Sequence, residues 1–191
     1  MPLSFLEITY FERVESQLSQ LTSTDIILPW LNILDDPRKS AVVFFLCDVL
    51  QGALREEHIP QKDLFMFLSA ELVELDKAPF EANYPIYFLI ALTKYLGFEP
   101  AYETDQPLFF DMPEGSFTRT AGLSAQHFPL TKDEVLWLAG SFIMGKDEFL
   151  AQKLNRTERQ RFTRIILDYY AHHLGGFTTP KSLKILEEVF D

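Results

Sequence analysis

Asp35-Asp36-Pro37-Arg38-Lys39-Ser40-Ala41-Val42-Val43-Phe44-Phe45-Leu46-Cys47-Asp48-Val49-Leu50-Gln51-Gly52-Ala53-Leu54 is the stretch whose reading decides the fold. A carboxylate ahead of proline starts a helix, because Asp accepts from the free amides of the first turn and Pro has no N–H to lose there. From 41 to 54 the run is almost wholly apolar, so this helix is expected at the centre of a mainly α fold, covered on all sides.

Toward the C-terminus, Pro60 is expected to open a second helix, with an apolar stripe of Leu64, Phe65, Phe67, Leu68, Leu72 and Leu75. Asn83 or Pro79 opens a third, which ends at Gly97 in the position of a left-handed cap. These three helices are expected to account for the core. Between Pro100 and Pro129 the periodicity changes, and Leu108-Phe109-Phe110-Asp111, Pro113-Glu114-Gly115 and Ser116-Phe117-Thr118 read as a short β-hairpin or loop insertion. Thr131-Lys132-Asp133-Glu134 is a capping box opening a helix through Trp137. Asn155 caps a long helix reaching Leu174 and stopped by Gly175-Gly176, and Thr179-Pro180 starts a last helix ending near Phe190.

Toward the N-terminus, residues 3–10 and 16–26 mix β-branched and aromatic residues with polar ones around Phe11-Glu12-Arg13-Val14, the pattern of a hairpin. The expected division is 1–27 for this hairpin and 28–191 for a multi-helix domain. A lone hairpin is marginal in water and its edges invite pairing, so it should pack on the helices or form a homodimer with a second copy.

The chain has 191 residues, 47% hydrophobic, enough for a real core. Its net charge of −11 repels phosphate backbones at long range and disfavours nonspecific DNA binding, though not a local basic contact. Cys47 is the single cysteine, which excludes an intrachain disulfide and a Cys-rich zinc site and suits a reducing cytoplasm. No apolar run reaches the roughly 20 residues that span a bilayer, so no membrane role is expected.

The four histidines are the first candidates for chemistry. His173 falls on the apolar face with Phe162, Ile165, Ile166 and Tyr169, where a satisfied structural histidine outweighs a catalytic one. His172 has only Asp168 one turn away, a helical contact before it is a metal pair; His58 and His127 stand alone. Gly175-Gly176 lacks the strand-to-helix setting of a phosphate loop. No catalytic constellation, metal site or cofactor is expected, so the chain should not be an enzyme. One feature stands above background: Arg156, Arg159, Arg161 and Arg164 within nine residues of an acidic chain. Two readings stay open, a solvated face partnered by Glu158 and Asp168, and a contact for an anion or acidic peptide.

Leu167-Asp168-Tyr169-Tyr170-Ala171-His172-His173-Leu174-Gly175-Gly176-Phe177, followed by Lys181-Ser182-Leu183-Lys184-Ile185-Leu186, resembles the C-terminal signature of RecO proteins. Tyr169, Tyr170, His173, Leu174, Gly176, Phe177, Lys181, Ser182 and Leu183 match it. Phe88-Leu89-Ile90-Ala91-Leu92-Thr93-Lys94-Tyr95-Leu96-Gly97-Phe98-Glu99-Pro100 and the 37–56 helix look like the same family.

The resemblance implies a DNA-repair and recombination mediator that anneals strands, works with RecR and helps load RecA on DNA coated by single-strand-binding protein. It also implies that the hairpin is the remnant of an oligonucleotide-binding (OB) barrel, so the chain is expected to be truncated ahead of it, with single-stranded DNA contacted only through the missing barrel. Many members carry a four-cysteine zinc module where this chain has 101–127; with Cys47 alone, that module must be metal-free. The helical domain of the family is similar to a docking site for the acidic, Phe-terminated tail of single-strand-binding protein. Such a ligand wants an apolar pocket rimmed by cations, for which Arg156, Arg159, Arg164, Lys181 and Lys184 are the candidates. For the signature residues a structural role is favoured: Ser182 in the first turn of the last helix is placed to bond free amides, and Tyr169 to fill the core. The alternative is a helical structural or oligomerisation module with no nucleic-acid role.

Overall fold

Asp36 caps helix α1 (Pro37–Ala53) as its sequence predicts: its carboxylate accepts from the Arg38 N–H at 2.9 Å. The Arg38 guanidinium donates to both oxygens of the same group, which with that amide holds the Asp36 carboxyl down at about 2. The computed structural model describes residues 1–11, 20–55, 60–121 and 130–189. His58, His127, most of the turn between the first two strands and the expected helix end at Phe190 lie outside the described residues.

Val42, Val43, Phe45, Leu46 and Val49 of α1 are fully buried, as are Phe88, Leu89 and Leu92 of α3 (Tyr84–Leu96), which follows α2 (Lys62–Lys77). Asn83 stands at the N-cap of α3 and Gly97 closes it at φ 81, a left-handed conformation that glycine adopts without Cβ strain. The expectation of a three-helix core needs correction. Helix α6 (Arg156–His173) packs against α3 and contributes Ile165, Ile166, Tyr169 and Tyr170, the two tyrosines being among the largest fully buried side chains. Each phenol can be buried there because a carbonyl waits for it: Tyr170 donates to Leu89 O at 2.7 Å and Tyr169 to Phe98 O at 2.5 Å.

The capping boxes at Thr131/Glu134 and Asn155/Glu158 open α4 (Lys132–Ile143) and α6, and a short α5 (Lys146–Leu150) between them has no counterpart in the sequence reading. Lys146, at the start of α5, donates to Glu71 and Glu74 at 2.8 Å each and lies over the rings of Tyr84 and Tyr87. Burial works against its charge, but the two carboxylates outweigh burial and push its pKa up. Helix α7 (Leu183–Val189) lies on α1.

Strands β1 (Phe5–Phe11) and β2 (Gln20–Leu28) form the expected antiparallel hairpin, the first strand running one residue and the second two residues past the predicted ends. Its base is covered: Phe5 packs on Trp30 and Phe65, and Leu3 reaches the core. Beyond Phe5 the strands are exposed on both faces. The linker after β2 is pinned by Asp76 of α2, whose carboxylate accepts from the N–H groups of Leu31, Asn32 and Ile33 at 2.8–3.1 Å.

The insertion is a three-stranded sheet ordered β3-β5-β4, where β4 (Phe109–Asp111) and β5 (Ser116–Thr118) make the predicted hairpin. A further two-residue strand, β3 (Ala101–Tyr102), pairs parallel to β5. Stacked rings hold it together, Tyr102 on Phe117 at 4.9 Å and Phe117 on Phe110 at 4.5 Å, with Phe110 meeting Tyr169 at 5.1 Å. The Tyr102 hydroxyl donates to Ala139 O and joins the sheet to α4.

Candidate partner-docking site

The five candidate cations do not form one surface. Helix α7 stands between two groups of them. On one side, Arg156 and Arg159 of α6 rim a shallow cleft between α3, α6 and α7, floored by Pro85, Ile86, Leu183 and Leu186 with Ala82 and Thr163 beside them. Its cavity volume is small, about 30 Å³. On the other side, Arg164, Lys181 and Lys184 line a second cleft with Leu167, Leu183, Pro180, Thr179 and Asp168. Glu187 lines both.

The arginine partners differ from those the helix alone suggests. Glu158 is engaged by the Asn155 N–H in the capping box, and the acids that form ion pairs with Arg161 and Arg164 come from distant segments, while Asp168 acts on both through its charge. Arg161 donates to Glu134 at 2.7 Å, and this contact, ahead of the capping bonds, holds the Glu134 carboxyl below its ordinary range. Arg164 makes a forked pair with Glu187, at 2.8 Å and 3.1 Å from its terminal nitrogen and 3.1 Å from Nε. Arg156 donates to the Glu187 carbonyl at 3.3 Å and Arg159 to the Leu154 carbonyl at 2.5 Å. Among the described residues Arg159, Lys181 and Lys184 make no ion pair, although Glu187 lines both clefts and Asp168 the second. Asp168 is half-buried; burial pushes its pKa up against the opposing charges of His172, Arg161 and Arg164.

The signature residues build the frame around these clefts. His173 stacks on Phe98 with rings 5.3 Å apart and 3° from parallel, and its Nε2 meets the Met112 carbonyl at 2.8 Å, tying α6 to the insertion. Gly176 takes φ 75 after the helix, and Phe177 turns back onto Tyr170 and against Gly52 of α1. Ser182 precedes α7, and its role differs from the expected one. It does not bond free amides of its own helix; its hydroxyl donates to Asp48 of α1 at 2.6 Å and its N–H to the same carboxylate at 3.1 Å. Leu183 is buried, while Lys181 is exposed. Asp48 and Glu187 therefore place α7, and neither stood out in the sequence, because what singles them out is a partner 134 residues away for Asp48 and 23 away for Glu187.

Among the described residues no group of three His, Cys, Asp or Glu side chains is placed to hold a metal ion, and no helix is long and apolar enough to cross a membrane.

A family model described as recombination protein O C terminal matches residues 34–184. The DNA repair protein RecO of Flavobacterium psychrophilum is 34% identical over 189 residues, 99% of this chain and 77% of that protein. The namesake from Flavobacterium johnsoniae is 34% identical over 192 residues, again 99% and 77%, and that from Bacteroides fragilis 32% over 192 residues, 100% and 78%. No solved structure matches the chain. The match to the family model spans helices α1 to α6 and, of the cleft floor, Pro85, Ile86 and Leu183, and with the relatives it shows that this chain belongs to the RecO family of DNA repair and recombination proteins.

Proposed function

We propose that the chain serves recombinational repair as a docking platform and not as a catalyst, receiving the acidic, Phe-terminated tail of single-strand-binding protein in the cleft between α3, α6 and α7. One observation carries this: an apolar floor of Pro85, Ile86, Leu183 and Leu186 lies under Arg156 and Arg159 on a chain of net charge −11. An aromatic ring gains from leaving water, and a guanidinium above it takes carboxylates in forked geometry, so the site suits a ligand carrying both groups side by side. Work with RecR, help in loading RecA and residence in the cytoplasm follow from the family role in this proposal. Single-stranded DNA would be held by a barrel to which the hairpin belongs, since the net charge disfavours a long-range pull on phosphates.

The test is fluorescence anisotropy with a labelled acidic peptide ending in Phe. Arg159→Ala should weaken binding about tenfold, near 1.4 kcal/mol, and added salt should weaken the wild type further. No binding by an intact fold would refute the docking role.

A second reading, an oligomerisation module, is favoured by the hairpin. Its register sets Leu6 opposite Ile26 and Tyr10 opposite Leu21, and all four side chains are exposed.

A further inference from the structure

We infer that helix α7 is the movable wall of the docking cleft, and that an aromatic ring enters only when α7 shifts away from α3 toward the second cleft. This rests on the docking role proposed above. The cleft as it stands holds about 30 Å³. An enclosed apolar site that takes a benzene ring measures about 150 Å³. A ring at the end of a peptide therefore rests at the mouth of the closed cleft, and its full burial needs one wall to yield.

Three helices meet there, and two of them are fixed. Tyr170 of α6 is fully buried and donates to Leu89 O of α3 at 2.7 Å, which locks that pair together. Helix α7 has seven residues, too few to hold a helix without neighbours. It supplies Leu183, Leu186 and Glu187 to the cleft. Its two ends are tied unequally. Before its first turn, Ser182 donates from hydroxyl and N–H to Asp48 of α1 at 2.6 Å and 3.1 Å in partly buried surroundings, which makes a hinge. Near its other end, the bond across the docking cleft is a single exposed one of 3.3 Å, from the Arg156 guanidinium to the Glu187 carbonyl. A ligand carboxylate that takes Arg156 releases that end. The Arg164 side chain, on the far side of α7 and 59% exposed, can follow Glu187 as it moves. There is also room to move into, because the second cleft, beyond α7, holds about 470 Å³. Swinging over α1, on which it packs, α7 widens the first cleft at the expense of the second.

The experiment titrates the full chain with two labelled acidic peptides that differ only in ending with Phe or with Ala. Wild type should bind the Phe-ended peptide several-fold tighter. Lys184 is exposed and lines the second cleft but not the first, so Lys184→Trp fills the space that α7 moves into. It should weaken the Phe-ended peptide several-fold and thereby erase the preference for Phe over Ala. Lys184→Ala, which removes the same charge without adding bulk, should keep that preference. In rapid mixing with wild type, the binding rate of the Phe-ended peptide should level off at high concentration, at the rate of opening, while that of the Ala-ended peptide keeps rising. If Lys184→Trp keeps the wild-type preference and the Phe-ended rate keeps rising in proportion to concentration, the moving wall is overturned and the docking role stands. If wild type binds neither peptide, the docking role falls and the moving wall with it.

Discussion

The hydroxyl of Ser182 donates a 2.6 Å hydrogen bond to the carboxylate of Asp48, and the Ser182 N–H donates to the same oxygen at 3.1 Å. This joins residues 134 apart in the chain and seats α7 on α1. Asp48→Ala leaves a buried hydroxyl and amide without their acceptor, at an expected cost of about 1–3 kcal/mol. Asp48→Asn, which keeps an acceptor oxygen, should cost less. Hydrogen exchange should show protection lost first in α7, and peptide binding should fall in step, since Leu183 and Leu186 form the cleft floor.

Asp76 predicts a pH dependence. Burial alone would raise its pKa, but the amides of Asn32, Ile33 and Leu31, with Lys39 nearby, outweigh burial and lower it below the ordinary 3.8. A carboxyl with a depressed folded value adds stability that is fully present above the unfolded value and is lost as pH falls through the folded one. Denaturation of wild type and Asp76→Asn should therefore differ by about 1–3 kcal/mol at neutral pH. The difference should hold down to the ordinary aspartate range and close only below it. A gap that closed near pH 6 would show another group at work.

Two helical glycines should respond in opposite directions to alanine. A Cβ on Gly52 would lie 2.9 Å from the Phe177 ring, so Gly52→Ala forces a shift of about 1–3 kcal/mol in a packed interface. Gly140 in α4 has open space at that position, and Gly140→Ala should stabilise by about 0.5–1 kcal/mol through helix propensity. Thermal or urea unfolding of the two variants checks both signs.

The exposed face of the hairpin should make the chain self-associate. Light scattering across a concentration series is expected to show dimers or larger species, and Ile8→Lys with Ile26→Lys to return monomer without altering the helical body. A wild-type chain that stays monomeric throughout would count against the homodimer.

Much of the fold was legible because its signals are local. Asp36 before Pro37, the box at Thr131/Glu134, Asn155 as a cap and Gly97 each act within one turn of themselves, so neighbouring residues alone announce the helix ends. Strand β3 was not legible, since Ala101 and Tyr102 carry no pattern of their own and become a strand only by pairing with Ser116 and Phe117. Helix α5 is a single short turn whose start is anchored by Glu71 and Glu74, some seventy residues upstream. At the site, the apolar and cationic residue types could be read, but their grouping could not. The division of the five cations depends on where α7 lies, and that is set by Asp48, Ser182 and Glu187 through contacts that leave no periodic trace.

Stacked Tyr102, Phe117 and Phe110 give the insertion a cohesion that uses no thiol. Cys47, the chain's single cysteine, sits partly covered on α1 with its thiol pushed up by burial, poorly disposed to form the thiolate that peroxide attacks. The insertion's ring contacts are thus independent of the chain's one thiol, which lies on a different element.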